Sequence, residues 1–370
     1  MAQSAEYNKN RLKMMTAAAA NEELTTKPLR REVGSRTMTD LLPVPSIVIN
    51  ATASSTNVVL VYSLQHKSIV AMADVDGDGE VDSFTLYVKH IDSPVSAIVP
   101  IGDLVGTTFV STYGNTLLKL LTTGVSFNPP RQEFIGVANA DAVTYNSGSE
   151  PILSFGYLSE MMQYQIDGDR ISIGPRTQQP MLPSKQGAIS LTRDSKGNAY
   201  AITQEEEGNT VWKIPVSGQH LAWNKAFPIR TIPGAVHLSV DRTNDDLYVA
   251  ASSWYVPNVP GLPGGGGSGG DSTEIPSRIY VLKNVSSNQV ADPLIFASDE
   301  RLRIENGPTG GITANAGMVF VGSTFYNGYQ GHFEILQYSA GPRGTVISTK
   351  VFLPADLAGT GFYSGLTLFR

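Results

Sequence analysis

The sequence predicts an all-β protein, and three observations carry that prediction. Charged residues make up only 16% of the 370-residue chain, while 36 glycines and 22 prolines supply material for many turns. From residue 46 onward, β-branched and aromatic runs alternate with polar turns, beginning with SIVIN, NVVLVYSL, SIVAMA and SFTLYVKHI. Three later stretches, starting at Gly187, Gly234 and Gly310, resemble one another. Each opens on glycine and a small apolar strand, then crosses a polar turn into NAYAIT, DLYVA or MVFVG. A second turn leads each into VWKIPV, RIYVLK or FEILQY. With an insertion in the second copy set aside, the repeat is roughly 50 residues long, the length of one β-propeller blade. One four-stranded blade cannot cover both its faces, so blades pack side by side until a ring closes. Dividing residues 46–370 by about 50 favours six blades, with seven as the alternative.

Residues 1–45 have a different texture. From Ser4 to Leu24 the mixture of Ala, Leu, Met, Glu and Lys suits a helix, after which Pro28, Pro43 and Pro45 break a polar, extended run. Seven basic against five acidic residues give this segment a charge of +2, and 20 against 28 give the remainder −8. Its composition fits either a solvated tail or an anchor that orders against another subunit, and the anchoring role is the one expected. Between residues 46 and 183 strands can be placed, but no clean repeat emerges. A glycine-rich insertion over 256–276, containing GGGGSGG, is too poor in side chains to pack. It also lacks the Lys-Ser/Thr end of a phosphate loop. At the C-terminus, Leu366–Phe369 reads as a first strand with nothing after it. Pairing it with the blade built by Ile47–His90 would remove an open edge and close the ring.

Composition also excludes several functions. A net charge of −6 argues against nucleic acid as partner. The lack of cysteine removes disulfides, zinc–thiolate sites and thiol nucleophiles. No run approaches the roughly 20 apolar residues of a membrane-spanning helix. The first residues have no apolar core of signal-peptide type.

The densest chemistry lies in ADVDGDGEVDSF, from Ala73 to Phe84. Asp74, Asp76 and Asp78 alternate, Gly79 permits a sharp bend, and Asp82 follows four residues after Asp78. Alternating carboxylates on a looped backbone suit one hard cation. An EF-hand would need Glu at the twelfth position, where this chain has Thr85, and helices rather than strands on either side. The loop instead resembles the D-x-D-G-D-G-x-x-D hairpin loops of FG-GAP propeller repeats, as in integrin α-subunits. That resemblance implies one structural Ca2+ site, with carboxylates from Asp74, Asp76, Asp78 and Asp82 and the backbone carbonyl of Glu80. A solvated acidic turn is the alternative.

The blades themselves are similar to those of NHL and SMP-30-like propellers. Asp194-Ser195-Lys196-Gly197-Asn198 before Ala199-Tyr200-Ala201, and Leu247-Tyr248-Val249-Ala250, carry the resemblance. SMP-30-like lactonases hold a channel metal with Glu, Asn and Asp from inner strands. The matching strands here, Ala188–Thr192, Ala235–Val240 and Gly311–Ala314, contain no carboxylate and one titratable residue, His237. The other histidines, His66, His90, His220 and His332, show no ligand spacing. No G-x-S-x-G elbow nominates a nucleophile.

The expected function is therefore a non-enzymatic structural or adhesion subunit of an extracellular, cell-surface or phage virion assembly. It would meet protein partners, or copies of itself, through the N-terminal tail. A metal-dependent lactonase or hydrolase is the runner-up. A carbohydrate-binding module is the third reading, with Tyr326 and Tyr329 in STFYNGYQGHF and Trp254 beside the insertion as glycan contacts. Two N-x-S/T sequons stand at Asn50 and Asn284.

Overall fold

In the computed structural model, the described residues are 58–63, 66–73, 81, 83–88, 91, 95–101, 107–112, 116–121, 131–136, 142–145, 151–154, 161–167, 170–173, 182–184, 188–205, 208–217, 220–252, 254–257, 272–287, 290–298, 302, 311–327, 330–340, 346–351 and 363–369. Residues 1–57, and with them the anchoring segment, lie outside this set.

Among the described residues the chain forms six four-stranded antiparallel sheets. Blade 1 contains β1 (Val58–Ser63), β2 (Ser68–Ala73) and β3 (Ser83–Val88). Blade 2 holds β4 (Val95–Ile101), β5 (Thr107–Thr112), β6 (Thr116–Leu121) and β7 (Arg131–Gly136). Blade 3 holds β8 (Ala142–Tyr145), β9 (Pro151–Ser154), β10 (Met161–Asp167) and β11 (Arg170–Ile173). Blade 4 runs β12 (Ala188–Arg193), β13 (Ala199–Glu205), β14 (Gly208–Ile214), a small hairpin of β15 (Val216–Ser217) and β16 (His220–Leu221), then β17 (Phe227–Thr231). In blade 5, β18 (Ala235–Asp241) and β19 (Asp246–Ala251) precede an inserted hairpin, β20 (Trp254–Pro257) and β21 (Ser272–Ile275). The blade then resumes with β22 (Arg278–Leu282) and β23 (Leu294–Ala297). Blade 6 is β24 (Ile312–Asn315), β25 (Met318–Asn327), β26 (Gln330–Ala340) and β27 (Val346–Val351).

The last strand, β28 (Tyr363–Phe369), returns to blade 1 and takes its innermost place. Val58 pairs with Phe369, Val59 with Leu368 and Leu60 with Thr367. First strands β4, β8, β12, β18 and β24 each contact the next, and β28 contacts both β24 and β4. The ring therefore closes at six, and the fold is a β-propeller.

Packing follows the two-residue period of a strand. Along β1, Val58, Leu60 and Tyr62 join a cluster with Val95, Ile98 and Val110 of blade 2. Val59 and Val61 face the other way, onto Phe320 and Ile335 of blade 6. Blade 5 repeats this pattern. Leu247, Val249 and Ala251 of β19 pack with Tyr200 and Ile202 of blade 4, while Tyr248 and Ala250 pack with Val319 and Tyr338 of blade 6. Both faces of each middle strand are covered, so β1, β2 and β19 are buried at every position. Continuous apolar runs such as SIVAMA follow from that burial.

Inner strands are also joined by hydroxyls. Leu238 N–H donates to Ser190 Oγ (3.1 Å), Val240 N–H to Thr192 Oγ1 (3.2 Å) and Ala314 N–H to Ser239 Oγ (3.1 Å). Adjacent first strands run side by side without ladder bonds, and these hydroxyls satisfy backbone donors that would otherwise be buried and unpaired. Close approach is enforced elsewhere by Gly234, at φ +74, where a Cβ would run into the Ser252 carbonyl.

Candidate functional site

Strand alternation divides the ring into two ends. Turns between first and second strands and between third and fourth strands share one end, and second-to-third connections lie at the other. The β2–β3 connection, third to fourth because β28 is first, belongs to the first end. It spans residues 74–82 and is closed by the pairing of Ala73 with Ser83. Strands therefore flank this loop, as a hairpin-loop reading requires and an EF-hand does not. Asp74, Asp76, Asp78, Glu80 and Asp82 themselves lie outside the described residues. Five carboxylates in so short a connection are the donor chemistry of a hard, oxygen-liganded cation. Among the described residues no three or more His, Asp or Glu gather closely enough to hold a metal.

The opposite end carries both proposed glycan-contact segments, on neighbouring blades. Trp254 lies on β20, paired with Ile275, and Tyr255 is paired with Glu274. Tyr326 lies on β25 opposite Gly331, with Phe325 opposite His332. Tyr329 lies outside the described residues. STFYNGYQGHF, rich in Asn, Gln and Gly, has the composition of a loop but is mostly strand, because β25 and β26 stay paired out to Asn327 and Gln330. The physical reason is visible in the residues: Thr324, Phe325 and Tyr326 favour strands, and Asn-Gly at 327–328 is a hairpin signal. The ends of the insertion are likewise strand, with Val256 paired to Thr273 and Pro257 to Ser272. Residues 258–271, which contain GGGGSGG, lie outside the described residues.

The six innermost strands read YSGLTLF, VSAIVPI, AVTY, AISLTR, AVHLSVD and ITAN. His237 sits on β18, half-buried between Val236 and Leu238. The strands also run one residue beyond the ranges expected from sequence, which adds Arg193 and Asp241. Burial pushes the Arg193 guanidinium down to about 9, with the charge of Arg242 acting in the same direction and Asp194 opposing. Asp241 is the one carboxylate on these six strands, and its oxygens are occupied. Oδ1 accepts Thr243 N–H (3.0 Å) and Thr243 Oγ1–H (2.6 Å), and Oδ2 accepts Gly317 N–H (2.7 Å) from blade 6.

A second aspartate network binds blade 4 to blade 5. Gly197, at φ +88, lets the DSKGN turn fold back on Asp194. Asp194 Oδ1 accepts the N–H groups of Lys196 and Asn198 (both 2.9 Å), and Oδ2 accepts Asn198 Nδ2–H (2.7 Å) and Tyr200 Oη–H (2.8 Å). One turn further around the ring, Asp245 takes Ser195 N–H on Oδ1 and Ser195 Oγ–H on Oδ2, both at 2.8 Å. Lys213 Nζ donates to the carbonyls of Val285 (2.7 Å) and Ser287 (2.8 Å). Burial lowers its pKa, against the pull of Asp194. Burial raises Tyr200, and the neighbouring Asp194 charge raises it further.

These networks set an acid limit. Burial alone would raise Asp241, but hydrogen bonds from Thr243, Gly317 and Ala316 outweigh it and hold the carboxyl below its ordinary value. Asp245 is lowered the same way, with burial opposed by Ser195, Ser286 and the charge of Lys196. A depressed folded pKa contributes stability that is complete above the unfolded value, about 4, and is lost as pH falls through the folded value. Melting temperatures should therefore hold between pH 7 and pH 5 as far as these groups govern them. The gap between wild type and Asp241→Asn should narrow only below about pH 4. A gap that closes near pH 6 would contradict this assignment.

Sequence reasoning missed the inter-blade partners. Asp245 meets Ser195 fifty positions away, and the only signal for it is that both residues occupy the same turn of successive repeats. Asn284, the second sequon, lies exposed at φ +49 in the turn after β22. Asn50 lies outside the described residues.

Comparison with known proteins supports the fold and goes no further. No protein-family model matches the chain, and no curated protein matches it. A chain from a nidogen–laminin complex superposes with a TM-score of 0.57 at 8% identity, covering 85% of this chain and 99% of that one. A protein of unknown function from Desulfotomaculum acetoxidans gives 0.51 at 12% identity, again over 85% and 99%. At such identity the likeness shows the propeller alone.

Proposed function

We propose that this chain is a non-enzymatic structural or adhesion subunit of an extracellular or phage virion assembly. In this reading the propeller is the rigid body and residues 1–45 are the anchor. The composition of the six innermost strands carries the proposal. A lactonase-like channel draws metal ligands from those strands, and here they offer a single carboxylate, Asp241, already committed to Thr243 and blade 6. The side-chain chemistry described at the turn end of blades 4 to 6 is spent on holding blades together.

Light scattering on the full chain and on a chain lacking residues 1–45 tests the proposal. The full chain should form a particle several times the 39.6 kDa of one copy, and the truncated chain should remain a folded monomer. If both are monomers and the protein turns over lactones or esters, the proposal is wrong.

The same proposal includes the Asp74–Asp82 loop as a calcium brace on blade 1, of the FG-GAP kind. A cation bound only by the folded state stabilises by about 2.7 kcal/mol at a hundredfold excess over Kd. Chelation should then lower the melting temperature by roughly 3–4 °C. Asp78→Ala should reproduce that loss and make the protein insensitive to chelator. A melting temperature indifferent to calcium would assign the loop to solvent.

A further inference from the structure

The outer strands of the blades are open edges, and most are guarded. β7 carries Arg131 and Glu133, β11 Arg170, β17 Pro228 and Arg230, and β27 Lys350. Charges and prolines on an edge discourage further strands from adding. β3 has neither, but Tyr87 and Val88 within it are buried. β23 is different. Its sequence is LIFA, with no charge and no internal proline, and Leu294 and Ile295 are 56% and 53% exposed. Among the described residues it pairs with β22 alone. Asp292 precedes it, and Asp299 and Glu300 follow.

The N-terminal part of the chain contains a further strand-like segment. SIVIN, residues 46–50, has the pattern of a buried strand, yet all six blades already hold four strands among the described residues. Upstream of it lie Lys27, Arg30, Arg31 and Arg36 against Glu32 and Asp40. Self-pairing of two β23 edges would bring acidic flanks together, whereas a strand led by a basic segment complements them. Residues 51–57 allow a reach of at most about 25 Å from β1. β23 is the outermost strand of blade 5, and blade 6 stands between it and blade 1, so the way runs across two sheet-to-sheet spacings of roughly 10 Å each that widen toward the rim, and out past the depth of a blade besides.

We propose that β23 is a strand-addition site whose occupant is residues 46–50 of a second copy of this chain. Backbone hydrogen bonds along the free edge would supply affinity, and Leu294 and Ile295 would contact the β-branched side chains of the added strand. This rests on the anchoring role given to the N-terminal segment and names the surface it engages. Donor and acceptor surfaces differ, so the contact is heterologous and builds a ring or a longer array.

The cysteine-free chain makes the test clean. Val48→Cys and Ile295→Cys are prepared separately, mixed and mildly oxidised. A disulfide joining one of each should form, since it requires Cα atoms roughly 4.4–6.8 Å apart. In parallel, the doubly substituted Leu294→Lys/Ile295→Lys chain should fall to the single-copy mass while melting as the wild type does, because both side chains are exposed. Three results would overturn the proposal. If no mixed disulfide forms and the lysine variant still assembles while the tail deletion does not, the tail anchors elsewhere and the subunit reading survives. If a chain carrying both cysteines cross-links within itself and stays monomeric, the pairing is internal. If the full wild-type chain is monomeric, the inference and the subunit reading fall together.

Discussion

Asp194→Ala should destabilise the propeller by about 3–5 kcal/mol, the range seen when a buried hydrogen-bonded network is broken. The carboxylate is 3% exposed and accepts four hydrogen bonds, from Lys196, twice from Asn198 and from Tyr200. Alanine restores none of them, and the site admits little water to replace the lost acceptor. Damage should not stop within blade 4. Tyr200 Oη has one proton to share between Asp194 Oδ2 and the Val285 carbonyl of blade 5, both at 2.8 Å. Asn198 also uses its Oδ1 to hold Val216 N–H (3.0 Å) and so fixes the start of the β15–β16 hairpin. Asp194→Asn keeps an oxygen for the two backbone N–H groups but turns an amide toward Asn198 Nδ2, so it should lose roughly half as much. Urea melts at pH 7 decide the matter. A loss below about 1 kcal/mol for the alanine variant would mean that the turn holds without its carboxylate.

That network also shows how far the sequence could be read. The DSKGN turn was legible because its residues act on each other within five positions, and only glycine suits φ +88 at residue 197. The closing strand was legible because Leu366–Phe369 was left over after a count of repeats. Blades 2 and 3 were not resolved as repeats. A strand flanked by two blades needs only apolar side chains at period two, and TLLKLL and MMQYQID meet that need without sharing a motif. Nothing in the sequence sets the hydroxyls of Ser190, Thr192 and Ser239 apart from those of ordinary strand residues, because their partners lie in the next repeat. Propeller architecture was therefore visible through burial and turn chemistry, and the bonds that tie blade to blade became visible only in three dimensions. For the Asp74–Asp82 loop, sequence supplies the carboxylates and the structure supplies the paired strands on either side.

A chain ending at residue 362, without β28, should lose cooperative folding altogether. β28 is the one strand contributed to a blade from the far end of the sequence, pairing with β1 from Val58↔Phe369 to Ser63↔Tyr363. It is also the innermost strand of blade 1 and touches the inner strands of blades 2 and 6. Removing it exposes the inner edge of β1, whose six residues are buried, and separates the two ends of the ring. The whole molecule is held by only about 5–15 kcal/mol, and losing one-sixth of the inner ring together with its closure exceeds what that margin tolerates. Because the missing strand is contiguous, it can be supplied separately. A synthetic peptide of residues 361–370 added to the truncated chain should restore a cooperative melt in proportion to its concentration. Trimming the outer strand β27 makes the informative contrast. Among the described residues that strand pairs with β26 alone, so its loss should lower the melting temperature without abolishing the transition. Should the chain ending at residue 362 melt as sharply and as high as the full chain, the ring does not depend on its closing strand, and the six blades stand by lateral packing alone.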